Sequence, residues 1–199
     1  GGVVAQQIVG DDGRYSFSLI RSGAYALRFT LPGGELFADR SGAAGGSCVE
    51  PAEGGTATTG LMMLEAGQEL NNMNVGAIEA CEIGDTVWLD SNGNGLQDYG
   101  EANLAGVDLT LLHADTMTEA AQTTSDEYGY YHFRNLRPGS YVLRVEMDEG
   151  DTLTFRFGAP LGEIDSDIDP QTGLSDVIRL QSGERRLNVD IGLTEHAKD

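Results

Sequence analysis

The sequence predicts an all-β protein made of two tandem Ig-like Greek-key β-sandwiches, the first lacking its opening strands. Three observations lead there. Apolar residues recur at every second position in short runs, the pattern of half-buried strands. Glycine is 28 of 199 residues, about twice the usual ~7% share, and glycine at that level serves turns and disfavours helix interiors. The third is an internal repeat at one unchanged offset.

The repeat sets the organisation. Gly13, Tyr15 and Phe17 align with Gly129, Tyr131 and Phe133 at a shift of 116 positions. Gly23, Tyr25 and Leu27 then fall on Gly139, Tyr141 and Leu143, and Gly67, Val75 and Gly76 on Gly183, Ile191 and Gly192. This divides the chain into residues 1–80, an incomplete copy, and 81–199, a complete copy with a short polar tail. Within the second copy the strands read as Val107, Leu109, Leu111; Tyr131, Phe133; Tyr141, Leu143, Val145; Leu153, Phe155, Phe157; and Leu187, Val189, Ile191. Asn135-Leu136-Arg137-Pro138-Gly139 reads as a tight turn, with proline fixing φ and glycine supplying a positive φ. Its counterpart, Ser18 to Gly23, keeps only the glycine. No segment has a convincing helical period.

The second copy opens with Ile83-Gly84-Asp85-Thr86-Val87-Trp88-Leu89-Asp90, and the same offset would put the first copy's opening before residue 1. A sandwich without those strands has open edges. Either a longer chain continues upstream, or a neighbouring molecule completes the fold by strand addition. The start, Gly1-Gly2-Val3, reads as processed, truncated or cut from a longer protein. The tail Thr194 to Asp199 lacks apolar alternation and makes a poor donor strand.

Acidic side chains number 32 against 12 basic, a net charge of −20. Such a chain is repelled by nucleic acid and by anionic membrane surfaces. No apolar stretch approaches the roughly 18 residues of a membrane span.

The most specific segment is DSNGNGLQDYGE, residues 90 to 101. Asp90, Asn92, Asn94, Leu96, Asp98 and Glu101 occupy positions 1, 3, 5, 7, 9 and 12 of a twelve-residue calcium loop, with Gly95 at position 6. Ca²⁺ takes six to eight hard oxygens, which short Asp and Asn side chains, the position-7 carbonyl and a closing glutamate supply. The other reading is an acidic surface turn. Because the loop leaves a strand and leads into Val107–Leu111, calcium would lock a strand connection. A second acidic run places Asp165, Asp167 and Asp169 at alternating positions, either as a further metal site or as a solvated loop.

These segments, IGDTVWLDSNGNGLQDYGE, GVDLTLL, DEYGYYHFRNLRPGSYVLRV, DSDIDPQTG and NVDIGL, closely resemble the calcium-binding B-type repeats of bacterial serine-aspartate repeat surface proteins, within the collagen-adhesin B-like group. Residues 83–193 carry the resemblance well and residues 7–79 as a degenerate copy. It implies a secreted or surface-exposed protein, a prealbumin-like sandwich, and calcium stiffening a stalk. Some members of the wider group form a lysine–asparagine crosslink. The sole lysine here is Lys198, in the tail, so no such bond is expected.

Cys48 and Cys81 are the only cysteines. In an exported chain they favour a disulfide, worth roughly 3–4 kcal/mol for a loop of this length; two thiols or bridges to neighbouring chains are the alternatives. His113, His132 and His196 are dispersed and read as surface residues, with His132 facing solvent from its strand. Trp88 reads as a packing residue. No nucleophile elbow or phosphate loop is present, so no enzyme activity is expected. The function expected is an extracellular structural module, a calcium-rigidified spacer or a fibre subunit. Its partners would be neighbouring repeats or copies of itself. The alternatives are an adhesin module binding a host protein or glycan, and an accessory domain of a secreted hydrolase.

Overall fold

The computed structural model describes residues 2–39, 47–49, 55–156 and 164–195. These contain seventeen strands and no α-helix. They form two compact units: 1–31 with 37–76, and 32–36 with 77–199.

The second unit is a sandwich of two sheets. One has the order β10-β7-β17-β12, from β7 (Cys81–Leu89), β10 (Tyr130–Leu136), β12 (Thr152–Leu153) and β17 (Ile191–Glu195), with β16 (Arg185–Arg186) also on β7. The other has the order β13-β14-β11-β8-β9. It is built from β8 (Asp108–His113), β9 (Glu119–Thr124), β11 (Gly139–Val145), β13 (Ile168–Asp169) and β14 (Leu174–Ser175), with β15 (Ile178–Leu180) also on β11. The inward residues of the two sheets form one core: Ile83 and Val87 from β7, Tyr131 and Phe133 from β10, Leu109 and Leu111 from β8, Tyr141, Leu143 and Val145 from β11, Ile191 and Leu193 from β17. The alternation in the sequence therefore marks this core face, as period two requires.

β7 is buried on both faces. Cys81, Ile83 and Val87 face the core, while Glu82, Thr86 and Trp88 are buried on the other side. Glu82 there meets Arg134, Arg185 and His132, its oxygens 3.1, 2.8 and 3.0 Å from their nitrogens. His132 is thus half-buried against a carboxylate rather than turned out to water. Trp88 is fully buried.

The chain turns between β10 and β11 as expected, but the positive φ falls on Asn135, near the end of β10, and not on Gly139, which opens β11. Asn135 has a φ of 57°, the pairing with β7 slips between Phe133 and Leu136, and Tyr141 Oη donates to Arg137 O at 2.8 Å. The expected strand through Leu153, Phe155 and Phe157 is shorter: β12 ends at Leu153, one further bond joins Thr154 N–H to Gly192 O at 2.9 Å, and Phe155 is 60% exposed. Phe157 lies outside the described residues, as do His196 and Lys198. The loop packs closely there: a Cβ on Gly95 would stand 2.3 Å from the Phe155 carbonyl oxygen. Val189 is in the core but Leu187 is at the surface.

The first unit holds β1 (Gly23–Tyr25), β2 (Arg28–Thr30), β4 (Thr56–Thr58) and β5 (Met62–Leu64), with β1 on β5 and β2 on β4. Its small core is Phe37, Val49 and Ala57. β3 (Glu35–Phe37) pairs with β6 (Ala77–Glu79), and the first two residues of β3 belong with β6 to the second unit.

Positions 116 apart behave alike. Gly23 pairs with Leu64 as Gly139 does with Leu180, and Arg28 with Thr58 as Arg144 does with Leu174. Tyr25 Oη donates to Arg21 O at 2.8 Å, matching Tyr141 on Arg137. Tyr15 Oη donates to Met73 O as Tyr131 Oη does to Val189 O. Leu19, the counterpart of Asn135, shares its φ of 57°.

The bridge expected between Cys48 and Cys81 is not made; both are thiols in the structure. Each packs into its own unit's core, and the Cys81 thiol donates to Gln181 O at 2.9 Å.

Candidate metal-binding loop and the buried carboxylates beside it

β7 delivers the chain into the acidic loop, and backbone bonds pin both ends. Asp90 N–H donates to Leu193 O at 2.7 Å, Leu89 N–H to Ala102 O at 2.8 Å, and Leu104 N–H to Val87 O at 2.8 Å. Gly95 takes a φ of +80°, the left-handed region that glycine enters without strain.

Asp90 organises the interior and is 1% exposed. Its Oδ1 accepts the N–H groups of Gly93 (2.7 Å) and Asn94 (3.2 Å); its Oδ2 accepts Gly95 N–H (2.7 Å) and the Thr154 hydroxyl. Burial alone would raise its pKa, but these hydrogen bonds outweigh burial and hold it below the usual carboxylate value. Asp98 Oδ2 accepts the side-chain amides of Asn92 and Asn94, each at 2.8 Å. Glu101 closes the loop, Oε1 taking Ser91 N–H at 2.9 Å and Oε2 taking Asp98 N–H at 3.0 Å.

The second acidic run is brought to this loop from some seventy residues along the chain. Leu96 and Asp165 form an isolated antiparallel bridge, made by Gln97 N–H on Ile164 O (2.7 Å) and Ser166 N–H on Gly95 O (3.2 Å). Those bonds use the groups on either side of Leu96, not its own carbonyl. Asp165 is buried and Asp167 half-buried beside the loop. Asp169 is not gathered in: it lies in β13, where its Oδ1 accepts Gln171 N–H at 2.8 Å and caps the next turn.

Two further carboxylates, Asp85 and Asp190, complete this environment, and sequence reading missed both. Asp190 N–H donates to Asp167 Oδ2 at 2.9 Å, and Asp190 Oδ1 accepts the Thr86 hydroxyl at 2.7 Å. Burial, reinforced by the Asp85 and Asp167 charges against the Thr86 hydrogen bonds, pushes Asp190 up to about 7. Burial, followed by the Asp165 charge, takes Asp167 to about 6. Asp85 is raised by burial as well. Asp190 alternates with core residues Val189 and Ile191, so its parity reads as solvent-facing. What buries it is the Asp165–Asp167 segment, which pattern alone does not place.

Among the described residues no three His, Cys, Asp or Glu side chains are grouped to hold a metal. The loop's donor set is broader, with three carboxylates, two amide oxygens and a main-chain carbonyl. By donor chemistry these residues fit a hard cation, and their present hydrogen bonds direct the two asparagine amides at Asp98.

The family model for the SdrD B-like domain matches residues 81–193. The chain is 32% identical over 144 residues to serine-aspartate repeat-containing protein F of Staphylococcus epidermidis, covering 71% of this chain and 8% of that protein. It is 30% identical over 190 residues to serine-aspartate repeat-containing protein D of Staphylococcus aureus, covering 94% and 12%, and 33% identical over 132 residues to Colossin-A of Dictyostelium discoideum, covering 66% and 1%. The chain thus spans only a small part of each relative. Among solved structures, the minor pilin GBS52 of Streptococcus agalactiae superposes with a TM-score of 0.38 at 15% identity, over 73% of this chain and 66% of that one. BcpA, the major pilin subunit of Bacillus cereus, gives 0.33 at 15%, over 86% and 60%. With its family model matched over 81–193, more than half its length, the chain belongs to the SdrD B-like domain family.

Proposed function

We propose that the second unit is a calcium-stiffened, load-bearing segment of an extracellular stalk or fibre, with neighbouring repeats in series as its partners. The observation that supports this most is the path of the chain. β7 and β17, the first and last long strands of the sandwich, lie side by side and parallel, with Ile191 opposite Val87 and Leu193 opposite Leu89. The chain therefore enters at one pole and leaves at the other. A pull on its two ends loads the β7–β17 bonds in shear, so that they resist together instead of opening one at a time.

The acidic loop stands at the exit pole, tied to β17 through Asp90 N–H on Leu193 O. A bound Ca²⁺ would supply positive charge to Asp90, Asp98 and Glu101, with Asn92, Asn94 and the Leu96 carbonyl as further oxygen donors. The Leu96–Asp165 bridge ties the second acidic run to this loop by its backbone. Thr154 and the backbone of Gly93–Gly95 orient Asp90, and the ties to β7, β17 and Ser166 carry stiffness from the loop into the sheet.

Calorimetric titration of Ca²⁺ into the chelator-stripped chain tests this. Saturable binding in the roughly 10⁻⁴–10⁻³ M range of extracellular modules, with a raised melting temperature, is expected. Both should be lost in a combined Asp98→Ala, Glu101→Ala variant. Absence of heat and of any melting shift contradicts the proposal.

A further inference from the structure

We infer that Asn92 is a self-modification site: Gly93 N attacks the Asn92 side-chain amide and hydrolysis of the resulting succinimide leaves an acidic residue, while the fold restrains the identical pair at Asn94. Asn92-Gly93 and Asn94-Gly95 are the only Asn-Gly pairs in the chain. Glycine after asparagine favours this ring closure, because no Cβ bars its nitrogen from the amide carbon. In the first step the Gly93 N–Asn92 Cγ bond forms, the Asn92 Cγ–Nδ2 bond breaks, and the glycine proton leaves on ammonia. Water then adds to one imide carbonyl. Opening at Cγ gives aspartate; opening at the main-chain carbonyl gives isoaspartate.

The two pairs make the same local bonds. Asn92 Oδ1 accepts Asn94 N–H at 2.9 Å and Asn94 Oδ1 accepts Leu96 N–H at 2.8 Å, the same side-chain turn twice over. Both Nδ2 groups donate to Asp98 Oδ2 at 2.8 Å. Gly93 N–H and Gly95 N–H each donate to an Asp90 oxygen at 2.7 Å, and the two glycines have φ of +68° and +80°. A difference in reactivity between the pairs therefore comes from what surrounds each glycine.

Those surroundings are opposite. Gly93 is exposed, and no described atom lies within 4 Å of where its Cβ would stand. Its peptide has room to leave Asp90 and turn onto the Asn92 amide. Gly95 is buried, and a Cβ there would overlap the Phe155 carbonyl oxygen. Its own carbonyl accepts Ser166 N–H at 3.2 Å, and Gln97 N–H is held by Ile164 O at 2.7 Å. Turning the Gly95 peptide would disturb all of these at once. Conversion of Asn92 removes a donor to Asp98 Oδ2 and puts a second carboxylate beside it, and like charges repel in the metal-free loop. Isoaspartate also lengthens the main chain just before Gly93. On the calcium reading of the loop, on which this consequence rests, aspartate at 92 adds a charged ligand, and affinity follows ligand charge.

Peptide mapping by mass spectrometry tests this on the full chain, aged at pH 8 in chelator, both folded and in urea. In urea the two pairs should convert at similar rates. Folded, Asn92 should convert at least about tenfold faster than Asn94, a difference of about 1.4 kcal/mol in barrier, with aspartate and isoaspartate as the products. Three results overturn the inference: no conversion at Asn92 in the folded chain, conversion at Asn94 as fast as at Asn92 there, or the same ratio of rates folded and unfolded. None of these arms contains calcium, so their outcome is separate from that of the stalk proposal. Calorimetric titration of an Asn92→Asp variant checks the consequence for the metal. Tighter Ca²⁺ binding than in the parent is expected, and equal or weaker binding overturns that consequence. A parent that binds no calcium contradicts the stalk proposal and leaves the modification to the mass measurement.

Discussion

Replacing Asp90 by alanine tests how far the loop is organised by its own chain. The carboxylate is 1% exposed and accepts four donors. A hydrogen bond to a charged group is worth roughly 1.5–3 kcal/mol, so a plain sum would reach about 6–12 kcal/mol. That sum overshoots. Asn94 N–H has a second acceptor in Asn92 Oδ1 at 2.9 Å, and Gly93 is exposed and can turn to water. Gly95 N–H and the Thr154 hydroxyl are buried and would be orphaned, at about 1–3 kcal/mol each. Asp90→Ala should therefore cost about 3–5 kcal/mol, and Asp90→Asn, which keeps one acceptor oxygen, about 1–3 kcal/mol. Urea unfolding in chelator, followed by the fluorescence of Trp88, the only tryptophan, measures both. A loss below about 1 kcal/mol for Asp90→Ala would refute the reasoning.

The pH dependence of the metal-free protein follows from Asp167 and Asp190, raised from 3.8 to about 6 and about 7. The native state binds these protons more tightly than the unfolded chain, so their stabilisation is complete below the unfolded value and is lost as pH climbs through 6 and 7. In chelator the urea midpoint should be higher at pH 5.5 than at pH 8, with Asp190→Asn removing most of the difference; a midpoint that rises with pH contradicts this. Asp90, with its lowered value, acts oppositely but only in acid below its unfolded value, outside this window. Core packing gives a paired comparison: Leu143→Ala should cost about 2–5 kcal/mol, and Leu27→Ala, at the half-covered equivalent position, less than half as much. Equal losses in thermal or urea unfolding would mean that Leu27 is as well covered as Leu143.

Much of the fold is legible in the sequence because period-two alternation reports the core face directly. Leu109 and Leu111 and Tyr141 to Val145 stand where their pattern puts them, and the chain turns between β10 and β11 as expected, with the positive φ on Asn135 instead of Gly139. The 116-residue offset carries further than composition does, reaching individual register pairs such as Gly23 with Leu64. What could not be read depends on cover from distant segments. Asp190 and Thr86 have outward parity yet are buried: the two bond each other, and residues 166 and 167 bind the Asp190 backbone. Phe155 continues an apolar alternation yet is exposed, with its carbonyl close against Gly95. The cysteine count suggested a bridge, and each thiol instead fills a place in its own unit's core. The loop's residue types were visible in the chain, but its ties to Leu193, Ile164 and Ser166 were not.

Single-molecule stretching of the full chain between its ends, in millimolar Ca²⁺ and then in chelator, bears most directly on whether this loop stiffens a load-bearing sandwich. The account predicts one dominant rupture releasing about 35 nm of chain, from roughly 3.4 Å per residue, at a force that falls clearly when calcium is removed and falls equally for the Asp98→Ala, Glu101→Ala variant in calcium. A rupture force that is the same with and without calcium would contradict it.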